Sequence, residues 1–127
     1  MSYWGYHLTL DCADCDRAKI ADAANITAFA KELVERIDMV AYGEPQVVHF
    51  GSGNKSGYTL VQLIETSNIC AHFCDDSGDV YLDVFSCKTF REDVVKEVFN
   101  KYFSPVNSKS NMVVRDARST SEEVYSI

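Results

Sequence analysis

The chain has 127 residues, 46% of them hydrophobic and 24% charged, which suits one folded core and excludes a disordered or collagenous composition. With 19 acidic against 12 basic residues and a formal charge of -7, it lacks a basic footprint for nucleic acid and is repelled by an anionic membrane surface. No window approaches the run of about 18 apolar residues that spans a bilayer, and Met1 to Gly5 lack a charged-then-apolar leader, so a single cytoplasmic domain over 1–127 is expected.

Tyr3 to Leu10 is rich in aromatic and branched residues and predicts a strand, ended by the polar stretch Asp11 to Asp16. Ile26, Phe29, Leu33, Val34 and Ile37 recur at three- and four-residue steps and predict an amphipathic helix, with Asn25 as N-cap and Gly43 and Pro45 beyond its end. Gly51 to Gly57 predicts a loop. Its Gly-Asn-Lys-Ser run lacks the spacing with which a phosphate loop gathers backbone amides and a lysine. Tyr58 to Thr66, Ile69 to Phe73 and Val80 to Cys87 predict three strands of an antiparallel meander, with a turn over Asp75 to Asp79.

Thr89 to Glu92 has the form of a capping box, and Val94, Val95, Val98, Phe99, Tyr102 and Phe103 follow with helical spacing up to Pro105. Met112 to Val114 predicts a short strand, and residues 116–127 a loosely held tail. The fold expected is α+β: a two-layer sandwich whose mostly antiparallel sheet is covered on one face by two helices. The other face of the sheet then lacks cover, which predicts a homodimer stacking sheet on sheet, α/β/β/α.

Five cysteines, at 12, 15, 70, 74 and 87, form an odd set without an export signal, so free thiols are expected rather than a disulfide framework. Cys12 and Cys15 make a C-x-x-C, but Cys70, His72 and Cys74 do not supply a second zinc knuckle, and no metal is expected. Strand order brings forward Ser67, Asn68, Cys70, His72 and Cys87: a serine near a histidine forms a nucleophile and base, and a cysteine moves a proton. Taken singly, a strand histidine or a turn serine is an ordinary structural residue.

Spacing sets these residues apart. The run Ser67-Asn-Ile-Cys-Ala-His72, followed by Asp83-Val-Phe-Ser-Cys87, resembles the prokaryotic S-adenosylmethionine decarboxylase proenzymes, with their E-S-H-I-x-I-H-T-W-P-E and D-[VL]-F-T-C motifs. Gly5-Tyr-His7-Leu8 and Cys15-Asp16 resemble that family's G-x-H-L and C-D opening. The resemblance implies self-cleavage between Thr66 and Ser67, Ser67 becoming a covalent pyruvoyl group whose ketone forms a Schiff base with the substrate amine. It implies that His72 assists this processing and that Cys87 donates the proton that replaces carbon dioxide.

A family hydroxyl also helps. Thr59 lies eight residues before Ser67 and Ser56 eleven, and strand parity assigns the part to Thr59. Three departures stand out: Thr66 in place of the family's glutamate, with Glu65 one place earlier; Asn68 in place of histidine; and Phe73-Cys74 in place of T-W. The expected substrate contacts are Phe50, near the position of an aromatic that stacks on adenine, Glu65, Asn68, and Asp76, at a position that holds ribose hydroxyls. The expected function is decarboxylation of S-adenosylmethionine for spermidine synthesis. A pyruvoyl-dependent decarboxylase of ornithine or arginine is the first alternative, because the adenosine-binding matches are the weaker ones. A homologue that binds without processing is the second.

Overall fold

The computed structural model describes residues 3–118 and 124–125. In chain order the elements are β1 (Gly5–Ala13), α1 (Arg17–Ile20), α2 (Ala23–Arg36), β2 (Gln46–Phe50), β3 (Gly57–Ile64), β4 (Ser67–Phe73), β5 (Val80–Ser86), α3 (Glu92–Phe103), β6 (Asn107–Arg115) and β7 (Val124–Tyr125). The strands form one sheet in the order β2-β3-β4-β5-β1-β6-β7, every neighbouring pair antiparallel. The α+β sandwich and the central meander are therefore as expected.

Alternation along each strand sorts residues onto two faces. One face carries Leu8, Leu10, Leu60, Ile69, Ala71, Leu82, Val84 and Met112, all buried, beneath Ile26, Phe29 and Leu33 of α2 and Val95, Val98, Phe99 and Phe103 of α3. Phe29 meets Phe99 nearly edge-on, with centroids 5.7 Å apart, and Phe103 at 4.9 Å. Removing so central a ring costs about 3–5 kcal/mol. Among the described residues no helix lies over the opposite face: Val48, Phe50, Leu63 and Tyr81 are 54, 57, 47 and 45% exposed.

Several boundaries differ from the sequence expectation. The N-cap of α2 is Asp22, whose carboxylate accepts from Ala24 and Asn25 N–H; Asn25 instead turns its amide to the Lys19 and Tyr102 carbonyls, both at 3.2 Å. Tertiary partners outbid the local cap. The capping box is likewise absent: α3 starts at Glu92 after Arg91, which makes no side-chain cap bond, and Glu92 is buried, accepting from Ser110 Oγ at 2.8 Å with Lys96 at 3.2 Å. Strand β1 starts two residues later than expected and runs through Asp11 to Ala13, the stretch expected to end it, and β6 is longer than expected, because each supports the other over nine paired residues. Neither α1, capped by Asp16, nor the edge strand β2 was expected, both being too short for a periodic signal. The expected tail falls mainly outside the described residues, of which Val124 and Tyr125 pair with β6.

Candidate active site

The ladder between β3 and β4 ends with Ile64 opposite Ser67, so Glu65 and Thr66 are the two residues of a hairpin tip. Thr66 is thus turn rather than strand, and Ser67 begins the next strand, opposite Ser86. Ser67 has φ +155°, a region that side chains avoid and that costs of order 1–3 kcal/mol, about the size of strain that clusters at functional sites. Two backbone bonds fix the tip: Cys87 N–H donates to the Thr66 carbonyl at 3.0 Å and Glu65 N–H to the Val40 carbonyl at 2.9 Å. None of the described residues hydrogen-bonds the Ser67 hydroxyl. Cys87 follows directly on β5 and is exposed. A Cβ on Gly5 would lie 3.1 Å from the Ser86 carbonyl and 3.6 Å from Cys87 Cα, so the bare glycine lets β1 lie close against this corner.

At the far end of β3 and β4, Thr59 and His72 are cross-strand partners, with Thr59 Oγ1 3.3 Å from His72 Nδ1. Both lie on the uncovered face. The parity argument for Thr59 treats 59–67 as one strand, whereas the tip at 65–66 reverses the chain; pairing with His72, not parity with Ser67, is what singles Thr59 out. Ser56 precedes β3 and lies outside the ladder. His72 and Ser67 are five residues apart along a straight strand, about 17 Å. Within one chain they do not meet.

Phe50 ends the edge strand opposite Gly57, and Asp76 is exposed in the turn after β4, where Arg17 is bonded to its backbone carbonyl. Asp75, beside it, takes His49 at 2.8 Å. Gly57 has φ +159°, and a Cβ there would lie 1.7 Å from the Phe73 carbonyl oxygen, so only glycine closes this end. Asn68 is half-buried on the uncovered face, its Oδ1 3.8 Å from Cys70 Sγ. Nine expected residues therefore divide into two sets. Glu65, Thr66, Ser67, Asn68 and Cys87 lie at one end of the sheet, and Phe50, Thr59, His72 and Asp76 at the other.

Some neighbours carried no sequence signal for this role. Met39, in the loop after α2, is buried under the tip, with its sulfur 3.3 Å from Thr66 Oγ1. His7 is bonded to Asp83 at 3.0 Å and lies beside Phe85, over which Arg115 stacks at 4.9 Å. His7 faces the same side of the sheet as Asn68, which pairs with Phe85.

Burial pushes the Cys12 and Cys15 thiols up to about 12, with Cys15 adding to the effect at Cys12 and Asp79 at Cys15. Burial also raises Cys70, with Asp83 nearby, and Cys74, with Asp79 nearby. Such thiols stay protonated and unreactive at neutral pH. Among the described residues no group of three His, Cys, Asp or Glu side chains is placed to hold a metal ion, and no helix is long and apolar enough to cross a membrane.

The fold has a solved counterpart: the adenosylmethionine decarboxylase of Aquifex aeolicus VF5 superposes with a TM-score of 0.78 at 17% identity, over 97% of this chain and 99% of that one. In sequence the chain is similar to the S-adenosylmethionine decarboxylase proenzyme of Pyrococcus furiosus, 28% identical over 100 residues, which is 77% of this chain and 69% of the relative. Residues 6–116, running from β1 to the end of β6, match the family described as S-adenosylmethionine decarboxylase. Coverage from the opening strand through the hairpin tip to the last long strand makes this chain a member of the S-adenosylmethionine decarboxylase family.

Proposed function

We propose that the chain is a proenzyme that cuts itself between Thr66 and Ser67 and then decarboxylates S-adenosylmethionine, giving the aminopropyl donor of spermidine synthesis. The observation that carries the reading is the Thr66 carbonyl bonded to Cys87 N–H at 3.0 Å, beside a strained Ser67 whose hydroxyl is engaged by none of the described residues. The Ser67 hydroxyl attacks that carbonyl, and charge developing on its oxygen is met by a donor already in position. The Ser67 nitrogen leaves with the proton, so the peptide becomes an ester. Loss of the Ser67 α-proton then expels the Thr66 carboxylate, and one water replaces the nitrogen as ammonia. Strain at Ser67 favours the cut, because the new chain end relaxes.

The residues present fit the resulting pyruvoyl group, since the serine that forms it heads β4 in the same corner as the Cys87 thiol. Once formed, the group supplies a ketone that takes up a substrate amine and accepts the electrons released with carbon dioxide. Cys87 is the proton donor to the carbon that loses carboxylate. Asn68 and Glu65 flank this corner as polar contacts for substrate, and the net charge of -7 favours a cationic sulfonium. No metal takes part in this scheme.

Thr59 and His72 complete the reading through a homodimer. Lying about 17 Å from Ser67 in their own chain, they reach a cleavage corner when a second copy stacks on the uncovered face. The apolar side chains Val48, Phe50, Leu63 and Tyr81 on that face favour such stacking. Phe50 and Asp76 then come to the site with His72, the ring to stack on adenine and the carboxylate to hold the ribose. Five unpaired cysteines suit the reducing cytoplasm.

The test is the intact mass of freshly purified protein under denaturing conditions. Fragments 1–66 and 67–127, the latter beginning with pyruvoyl, are expected from wild type and a single uncut chain from Ser67→Ala. A Ser67→Ala protein that is still cut would overturn the reading. Carbon dioxide release from S-adenosylmethionine, with ornithine and arginine as controls, tests the substrate.

A further inference from the structure

Ser86 is a polar side chain with no exposed surface, at the last position of β5, on the face that packs against the helices. A hydroxyl is not buried there without cost unless it is hydrogen-bonded on both sides. Its partners form a chain with one direction. Lys88 N–H donates to Ser86 Oγ at 3.0 Å, Ser86 Oγ donates to Thr66 Oγ1 at 2.8 Å, and Thr66 Oγ1 donates to Met39 Sδ at 3.3 Å. Ser86 Oγ also lies 3.6 Å from the same sulfur. The next residue, Cys87, holds the Thr66 carbonyl through its backbone.

Two consecutive residues thus grip the residue before Ser67, one by its side chain and the other by its carbonyl. We propose that Ser86 is a positioning residue for self-cleavage: through Thr66 Oγ1 it fixes the plane of the 66–67 peptide so that the carbonyl faces both Cys87 N–H and the attacking Ser67 hydroxyl. The proposal rests on the reading that the chain is cut between these residues, and it adds a requirement for paired hydroxyls at 66 and 86. With one tether removed the peptide spends less time in the attack geometry, and the acyl shift slows by about tenfold or more.

The two stages of the cut can be separated chemically. Hydroxylamine attacks the ester formed by the acyl shift, releasing residues 1–66 as a hydroxamate and leaving a fragment that begins with serine, so its product reports the shift rather than the later elimination. Full-length chains made by cell-free translation are followed by mass with and without hydroxylamine. Ser86→Ala and Thr66→Val are expected to slow both the spontaneous and the hydroxylamine-dependent cut about tenfold, and Thr66→Ser to restore the wild-type rate. The Ser86→Ala/Thr66→Val double variant should be no slower than either single variant, because both remove the same bond.

A Ser86→Ala chain cut at the wild-type rate, or rates in the double variant that multiply, would overturn the proposal while leaving self-cleavage itself in place. A wild-type chain that never yields the two fragments would instead remove the underlying reading, and this proposal with it. Thermal unfolding of Ser67→Ala with and without Ser86→Ala, both uncut, reports any loss of folding. If Ser86→Ala does not fold, Thr66→Val against Thr66→Ser decides the matter, and equal rates for that pair would overturn the proposal.

Discussion

Thr59 and His72 face each other directly across β3 and β4, with the threonine hydroxyl 3.3 Å from the ring Nδ1. A hydroxyl at that distance fixes the orientation of the ring whichever of the two donates. Thr59→Ser should therefore cut at close to the wild-type rate, and Thr59→Val about 10- to 100-fold more slowly, at or below the bottom of the range for losing an acid–base group because the histidine itself remains. Intact mass against time after translation measures both. Equal rates for the two variants would remove Thr59 from the reaction.

The distance between His72 and Ser67 leads to a complementation test. A Ser67→Ala chain is expected to stay uncut while still offering His72, and a His72→Ala chain to offer Ser67. Expressed alone, neither should yield appreciable pyruvoyl fragment. Expressed together, the His72→Ala chains in mixed dimers should be cut, visible by mass if the two chains carry different tags. A mixture no more cut than the separate proteins would place His72 outside the partner's site.

Cys87 contributes to the corner twice, through its backbone N–H and its thiol. Cys87→Ala keeps the first and loses the second. It should still give fragments 1–66 and 67–127, while carbon dioxide release per cut chain falls by about 10²- to 10⁴-fold, the range for a lost proton donor. A variant that turns over normally would assign the proton to another group.

Cys12 and Cys15 set an alkaline limit on stability. Burial raises both thiols from 9.0 to about 12 in the folded chain. Below pH 9 the folded and unfolded states are both protonated, and the thiols add no pH dependence. Between pH 9 and about 12 the unfolded chain loses these protons first, so it binds fewer than the folded one and stability falls as pH rises. The unfolding midpoint should drop steadily over that window and drop less in Cys12→Ala/Cys15→Ala. Parallel curves for the two proteins would show that other groups govern the limit.

Where residues repeat with a strong period, the sequence was readable. The apolar spacing of α2 and α3 and the branched runs of β3, β4 and β5 identify the layers, because burial on one face dictates the pattern. The caps expected at Asn25 and Thr89 do not form, because partners distant in sequence, Tyr102 and Ser110, decide what those segments do. Motif spacing brought Ser67, His72 and Cys87 forward together, but spacing along a strand is not proximity: an antiparallel ladder brings Cys87 to Thr66 and carries His72 away. Ser86 was invisible as a functional residue, since only the ladder sets its hydroxyl against Thr66.

The order β2-β3-β4-β5-β1-β6-β7 threads the first strand of the chain between two of its later ones. A cut between 66 and 67 leaves β1, β2 and β3 on one piece and β4 to β7 on the other. Three of the six ladders, β3 with β4, β5 with β1, and β1 with β6, then run between the pieces. The helices divide in the same way, α2 to one piece and α3 to the other. The halves are woven: neither can depart without unzipping the sheet and exposing the apolar layer both helices cover. The proposed cleavage would therefore release a chain end but no fragment, and halves made separately should be unable to fold until they are mixed.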